Sequence, residues 1–241
     1  MPFGRDMHLS VRGESPCPTQ GDGDKAKPLF KTFCHAHRAF HAQSAFHKSR
    51  KELISLRVRG LRTRHGGEYK MKIAIIGYSG SGKSTLASKL GQVYGCEVLH
   101  LDSIHFSAGW VERTDEEMKR DVEAFLEKDE WVIDGNYSRI FFWERMETAD
   151  QIIILNFNRF TCIKRAYRRY RTFSHKTRPD MAEGCEEKFD WAFFRWLLLD
   201  GRKKKVRDRH KKILQIHKEK TVVLKNQRDI DRLLSTLLTK R

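Results

Sequence analysis

Eight consecutive residues, Gly77-Tyr78-Ser79-Gly80-Ser81-Gly82-Lys83-Ser84, fit the spacing G-x-x-x-x-G-K-[ST]. Glycine at three of these positions lets the main chain curl so that successive N–H groups converge on phosphate oxygens. The motif follows the apolar run Lys72–Ile76 and precedes a helical stretch over Thr85–Leu90. A helix N-terminus therefore adds the positive end of its dipole to the same point. In that setting Lys83 holds the β- and γ-phosphates of ATP, and the Ser84 hydroxyl ligates Mg²⁺. Gly77, Ser79, Gly80, Ser81, Gly82, Lys83, Ser84 and Thr85 form the expected nucleotide-binding set.

Two carboxylates come next. Asp102 and Asp134 each lie just past an apolar run read as a strand. In open parallel sheets ligands gather beyond the strands' carboxyl ends, so both should border the crevice of the phosphate loop. One would join the Mg²⁺ shell and the other would accept a proton from a phosphoryl acceptor. The bland alternative is that an aspartate after a strand caps a turn or helix. Arg165 and Arg169 stand i, i+4 on a helical stretch and share a face. They flank Arg171 to Cys185, a polar segment of poor periodicity read as a mobile loop, with Arg178 inside it. Arginines so placed can close over a transferring phosphoryl group and stabilise its charge. A solvated basic face explains them equally well.

The elements that must position these groups are legible in outline. Five short apolar runs alternate with helical stretches: Lys72–Ile76, Glu97–Leu101, Trp131–Asp134, Gln151–Asn156 and Thr221–Leu224. Runs apolar throughout suit strands buried on both faces, as in a parallel sheet covered by helices. Thr114 and Glu117 form a capping box, followed by the stripe Met118, Val122, Phe125 and Leu126. Further stripes are Phe160, Ile163, Tyr167, Tyr170; Phe189, Phe193, Trp196, Leu197; and Ile230, Leu233, Leu234, Leu237, Leu238. This β-α alternation predicts a three-layer α/β domain over residues 71–241.

Residues 1–70 differ. They carry 14 Lys/Arg against 6 Asp/Glu and six of the 11 histidines, with no sustained period. Cys34, His35, His37 and His41 have a loosely metal-like spacing, which chance in a His-rich tract explains better. The stretch is expected to be a basic, disordered extension upstream of a natural start at Met71. Five scattered cysteines fit a reducing cytoplasm. No run approaches the roughly 18 apolar residues that span a bilayer.

A net charge of +17 suits an enzyme of anionic substrates or a nucleic-acid binder. The densest basic run, Arg202 to Lys212, points its charges nearly all round a helix, which usually marks a solvated surface.

From Met71 onward the chain resembles the small adenylate kinase-like P-loop proteins labelled DNA topology modulation proteins. The resemblance rests on GYSGSGKST (77–85), HLDSIHFSAGW (100–110), WVIDGNYSR (131–139), CIKRAYRR (162–169) and KTRPDMAEGCEEKFDW (176–191). It implies a nucleoside monophosphate kinase fold with a five-stranded parallel core, an acceptor-binding region and a short lid. Asp134-Gly135 with Arg139 is similar to an acceptor-side Asp-Gly-x-x-Arg pattern, although Arg139 comes one residue late. Trp110 and Arg113 fall where the acceptor pocket is expected. Asn158 stands where relatives tend to have proline before the next helix.

The leading expectation is phosphoryl transfer from ATP–Mg²⁺ to a small acceptor, a nucleotide or nucleoside. The alternative is a nucleotide-regulated DNA-binding protein, and the family label points that way. No tyrosine nucleophile signature, helix-turn-helix or zinc ribbon accompanies it.

Overall fold

The structure is a computed structural model describing residues 70–174, 176–178 and 180–239. The expectations for the upstream extension, its Cys34–His41 cluster and the Met71 start lie outside the described residues. Of residues 1–70 only Lys70 is described, and its ammonium meets Asp129 at 2.6 Å.

The chain runs through β1 (Lys72–Gly77), α1 (Lys83–Tyr94), β2 (Val98–His100) and the short α2 (Leu101–His105). A two-stranded hairpin follows, β3 (Phe106–Ser107) and β4 (Val111–Glu112), then α3 (Asp115–Leu126), β5 (Trp131–Asp134) and α4 (Phe142–Thr148). The remainder is β6 (Gln151–Leu155), α5 (Arg159–Phe173), α6 (Trp191–Leu198), α7 (Lys204–Ile216), β7 (Thr221–Leu224) and α8 (Gln227–Leu238). Five parallel strands form one sheet in the order β2-β5-β1-β6-β7. This is the expected α/β P-loop architecture.

The apolar runs are buried on both sides, and the strand period of two sorts them. Ile73, Ile75, Val132, Ile153, Leu155, Val222 and Leu224 join Leu86 and Leu90 of α1 and Ile230, Leu233 and Leu237 of α8. Ala74, Ile76, Trp131, Ile133, Ile152 and Ile154 face the other way, onto Met118 and Val122 of α3, Met146 of α4 and Ile213 of α7. Two helical layers thus sandwich the sheet.

Local signals act as their chemistry dictates. The Glu117 amide donates to Thr114 Oγ1 at 3.3 Å and the Thr114 amide to Glu117 Oε2 at 3.0 Å, completing the capping box. Asn158 caps α5 by accepting from the Thr161 amide at 2.8 Å, which is what a proline there could not do. Helix α1 outruns its expected span and closes at Gly95, whose left-handed φ of 73° sends its N–H back to the Gly91 carbonyl.

Two stripes need correction. On α5, Phe160 and Tyr167 are exposed, and the buried residues are Cys162 and Ala166. The cause is close approach: a Cβ on Gly80 would lie 2.5 Å from the Cys162 carbonyl oxygen, so small side chains must face the phosphate loop. On α6 only Leu197 is buried, and Trp196 instead reaches Ser79 Oγ at 3.4 Å. The basic run is also less uniform than its helical projection: Arg202 stacks 3.8 Å from the Tyr78 ring centroid, and Arg209 donates to the Asn136 carbonyl at 3.1 Å.

Candidate active site

The phosphate loop joins the carboxyl end of central strand β1 to the start of α1. Gly77, Gly80 and Gly82 adopt positive φ of 148°, 73° and 94°. The N–H groups of Gly82, Lys83, Ser84 and Thr85 donate to no protein acceptor among the described residues. Four orphan donors at a helix start are a ready site for an oxyanion. Lys83 Nζ hangs over the loop, 3.4 Å from the Tyr78 carbonyl.

The loop is braced from both sides. Asn136 lies just past β5, the strand beside β1, and grips Gly77 twice: it accepts from the Gly77 amide at 3.1 Å and donates to the Gly77 carbonyl at 2.6 Å. From the other flank Arg165 donates to the Ser81 carbonyl at 2.5 Å, bonds Gln227, and lies 4.7 Å from the Phe157 ring centroid.

Beneath the loop Ser84 Oγ donates to Asp134 Oδ2 at 3.0 Å. The other oxygen of this buried carboxylate meets His100 Nδ1 at 2.5 Å, and His100 Nε2 lies 3.4 Å from Ser88 Oγ. Burial opposes a charge on His100, but its hydrogen bond to Asp134, the Asp134 charge, and the charges of Asp180 and Asp102 outweigh that and raise its pKa. A hydroxyl paired with a carboxylate beside a phosphate cradle is a hard-oxygen donor set that fits Mg²⁺.

Above the loop opens a cleft of about 1360 Å³. Of the expected residues, Ser79, Gly80, Gly82, Lys83, Ser84, Thr85, Asp102, Trp110, Arg139, Arg165, Arg169 and Arg178 line it. Gly77 and Ser81, which belong to the loop, and Asp134, which accepts from Ser84, lie outside the cleft lining. Arg113 stands apart from the cleft wall, paired with Asp121 at 2.8 Å and donating to the Ile104 carbonyl. Arg139 pairs with Asp115 at 3.0 Å, and Asp102 Oδ1 accepts from the Tyr137 hydroxyl at 2.8 Å.

Arg169 and Arg178 share a partner the sequence reading missed. Glu187 is buried between them, with Arg169 Nη2 at 2.6 Å and Arg178 Nε at 2.6 Å, and Arg178 also meets Asp180 at 3.0 Å. The Arg178 Nε approach is an ion contact too bent for a hydrogen bond. The segment carrying them makes bridges at Ser174–Glu187 and Thr177–Glu186. It touches the β3–β4 hairpin three times: Gly109 N–H to Gly184 O at 3.3 Å, Trp110 Nε1 to Glu186 O at 2.9 Å, and Cys185 Sγ to Ser107 O at 3.2 Å.

Two further residues set the site's shape. Arg145 is fully buried and donates to the carbonyls of Gly135, Tyr137 and Ile140, binding the loop after β5 to α4; burial lowers its pKa to about 9. His210 packs on Tyr78, and burial, reinforced by Arg209 and Lys83, lowers its pKa to about 4.

No protein-family model matches the chain, and no curated protein matches it. Solved structures resemble it at low identity. A gluconokinase from Sinorhizobium meliloti 1021 has 13% identity and a TM-score of 0.42, covering 72% of this chain and 95% of the other. A shikimate kinase from Acinetobacter baumannii has 16% identity and a TM-score of 0.38, covering 72% and 93%. A deoxyadenosine kinase from M. mycoides has 13% identity and a TM-score of 0.40, covering 70% and 98%. Among the described residues no helix is long and apolar enough to cross a membrane.

Proposed function

We propose that this chain is an ATP-dependent phosphotransferase that moves the γ-phosphoryl group to a small acceptor held in the cleft. One observation carries the reading. Four backbone donors at the start of α1 with no acceptor among the described residues, the Lys83 ammonium and the Ser84–Asp134 pair all converge where a large cleft opens. Backbone N–H groups and Lys83 hold the β- and γ-phosphates. Ser84 and Asp134 are the groups that would hold Mg²⁺, which when bound neutralises phosphate charge. Arg165 and Arg169 lie one helical turn apart beside the loop, and a transferring phosphoryl group competes with Glu187 for Arg169. Asp102, Trp110, Arg139 and Arg178 border the acceptor. Catalysis is then positioning and charge stabilisation in this cleft.

The likeness to adenylate kinase-like DNA topology modulation proteins belongs to this reading, with residues 71–241 as the working domain. The free thiols of Cys96, Cys162 and Cys185 support a reducing, cytoplasmic setting.

The test follows ATP consumption by the full chain with Mg²⁺ against nucleosides, nucleoside monophosphates, sugars and hydroxy acids, alongside Lys83→Ala. Turnover stimulated by one acceptor and lost in the variant is expected. ATP binding without any acceptor-stimulated turnover overturns the reading. Salt-steep DNA binding indifferent to Lys83 would then favour the DNA-binding alternative.

A further inference from the structure

Resting on the phosphotransferase reading, we propose that the acceptor is a nucleoside: a planar ring bearing an alcohol and no phosphate of its own. Two independent observations at the acceptor end of the cleft support this, one of shape and one of charge.

The wall of the cleft beyond the phosphate loop is aromatic. His105 packs against Phe106 at 4.5 Å and Tyr137 at 4.7 Å between ring centroids, and Phe106 packs against Trp110 at 5.1 Å. All four residues line the cleft. Flat π-faces stack on a planar base and gain little from a polyol. Trp110 holds its place under strain: its φ is 67°, in the left-handed region where a bulky side chain is a genuine outlier. Its indole N–H is fixed to the Glu186 carbonyl at 2.9 Å. Strain kept in an aromatic residue on a ligand cleft points to use of the ring.

The charge balance there argues against a phosphorylated acceptor. Arg139 is committed to Asp115, Arg169 to Glu187, and Arg178 to Glu187 and Asp180. Lys188, exposed, sits 5.9 Å from the Trp110 ring centroid. Asp102 and Glu112 add further carboxylates to the same wall. A phosphate on the acceptor would find Lys188 as the cation of this wall with no carboxylate partner among the described residues. For any second contact it would have to draw Arg139, Arg169 or Arg178 from a carboxylate. A neutral alcohol has no such cost, and Asp102 is the acceptor it needs. Oδ1 of Asp102 is held by Tyr137, and Oδ2 accepts no hydrogen bond among the described residues.

In the step so assigned, the nucleoside hydroxyl oxygen bonds to the γ-phosphorus of ATP as the bond from that phosphorus to the ADP oxygen breaks. The hydroxyl proton passes to Asp102 and then to solvent. The products are a phosphorylated nucleoside, ADP and a proton.

The experiment compares adenosine, deoxyadenosine, guanosine, cytidine and thymidine with their 5′-monophosphates, with gluconate and shikimate as non-aromatic alcohols, using the full chain. Phosphorylated product is measured with ATP and Mg²⁺, and binding is measured by equilibrium dialysis with ADP and Mg²⁺. At least one nucleoside should exceed its own monophosphate by about tenfold or more in kcat/KM and in affinity. Monophosphates preferred over nucleosides, or either hydroxy acid preferred over both, overturns the inference while leaving the kinase reading intact. Failure of ATP itself to bind overturns the kinase reading. Trp110→Gly suits the φ of 67° and keeps the backbone, so nucleoside KM should rise about tenfold with ATP KM unchanged. Asp102→Asn keeps the Tyr137 contact and should cut kcat by about 100-fold with nucleoside KM within about threefold. If both variants turn over nucleoside like the parent chain, the assignment of this wall fails.

Discussion

Ser84 and Asp134 stand 50 positions apart in the chain and meet at 3.0 Å, hydroxyl to carboxylate, where two neighbouring parallel strands end. The second oxygen of Asp134 is taken by His100 at 2.5 Å, from the end of the next strand out. One carboxylate thereby ties the start of α1 to the ends of β5 and β2 under the phosphate loop.

The His100 contact gives the fold a pH dependence of definite sign. The folded pKa lies above the ordinary 6.5 despite burial, because of the hydrogen bond and charge of Asp134. The stabilisation is fully present below 6.5 and is lost as pH rises through the folded value. Urea unfolding of the parent and of His100→Gln should therefore differ most below pH 6.5 and converge as pH rises above it. A difference that does not change with pH would refute this.

His210 behaves in the opposite sense. Burial, with Arg209 and Lys83 nearby, holds its pKa at about 4 against an ordinary 6.5. Between those values the unfolded chain takes a proton that the folded chain refuses, so stability falls as pH drops through this window. The component lost amounts to about 3 kcal/mol by pH 4. His210→Phe keeps a ring against Tyr78 and should flatten the stability curve between pH 6.5 and 4. An unchanged slope would show that His210 titrates normally.

Gly80 and Gly95 share a φ of +73° but differ in surroundings. A Cβ on Gly95 meets nothing within 4 Å, so Gly95→Ala should cost only the left-handed strain, about 1–2 kcal/mol. On Gly80 the same atom lies 2.5 Å from the Cys162 carbonyl, and the main chain must move. Gly80→Ala should therefore be the more destabilising in thermal unfolding and should weaken ATP binding, which Gly95→Ala leaves alone. Equal effects would remove the steric argument.

Among the described residues Glu187 is the sole carboxylate that touches both Arg169 and Arg178. Glu187→Gln leaves two largely buried guanidinium groups short of charge, and breaking a buried pair from one side costs about 3–5 kcal/mol. The urea midpoint should drop accordingly. A variant as stable as the parent would mean that the network contributes only geometry.

How much of this was legible without coordinates depends on how local each feature is. The phosphate loop, the Thr114–Glu117 cap and the five strands declare themselves within a few residues, because spacing and apolar period are short-range. Asn136, His100, Arg145 and Glu187 do not. The double grip of Asn136 on Gly77 exists because β5 lies beside β1, and strand order is not written in either segment. Arg145 reads as an ordinary surface cation on a helix, yet its partners are three carbonyls of a loop. The misjudged stripe of α5 has the same origin: the glycine loop's close approach, set by another strand, selected Cys162 and Ala166 over the larger rings.

The three bonds between the hairpin at 107–110 and the segment at 184–186 join parts of the chain far apart in sequence, Trp110 and Glu186 being 76 residues apart. Phe106 and Trp110 on one side and Met181 and Glu187 on the other line the same cleft, so these bonds act as a cross-brace that sets the spacing of its wall.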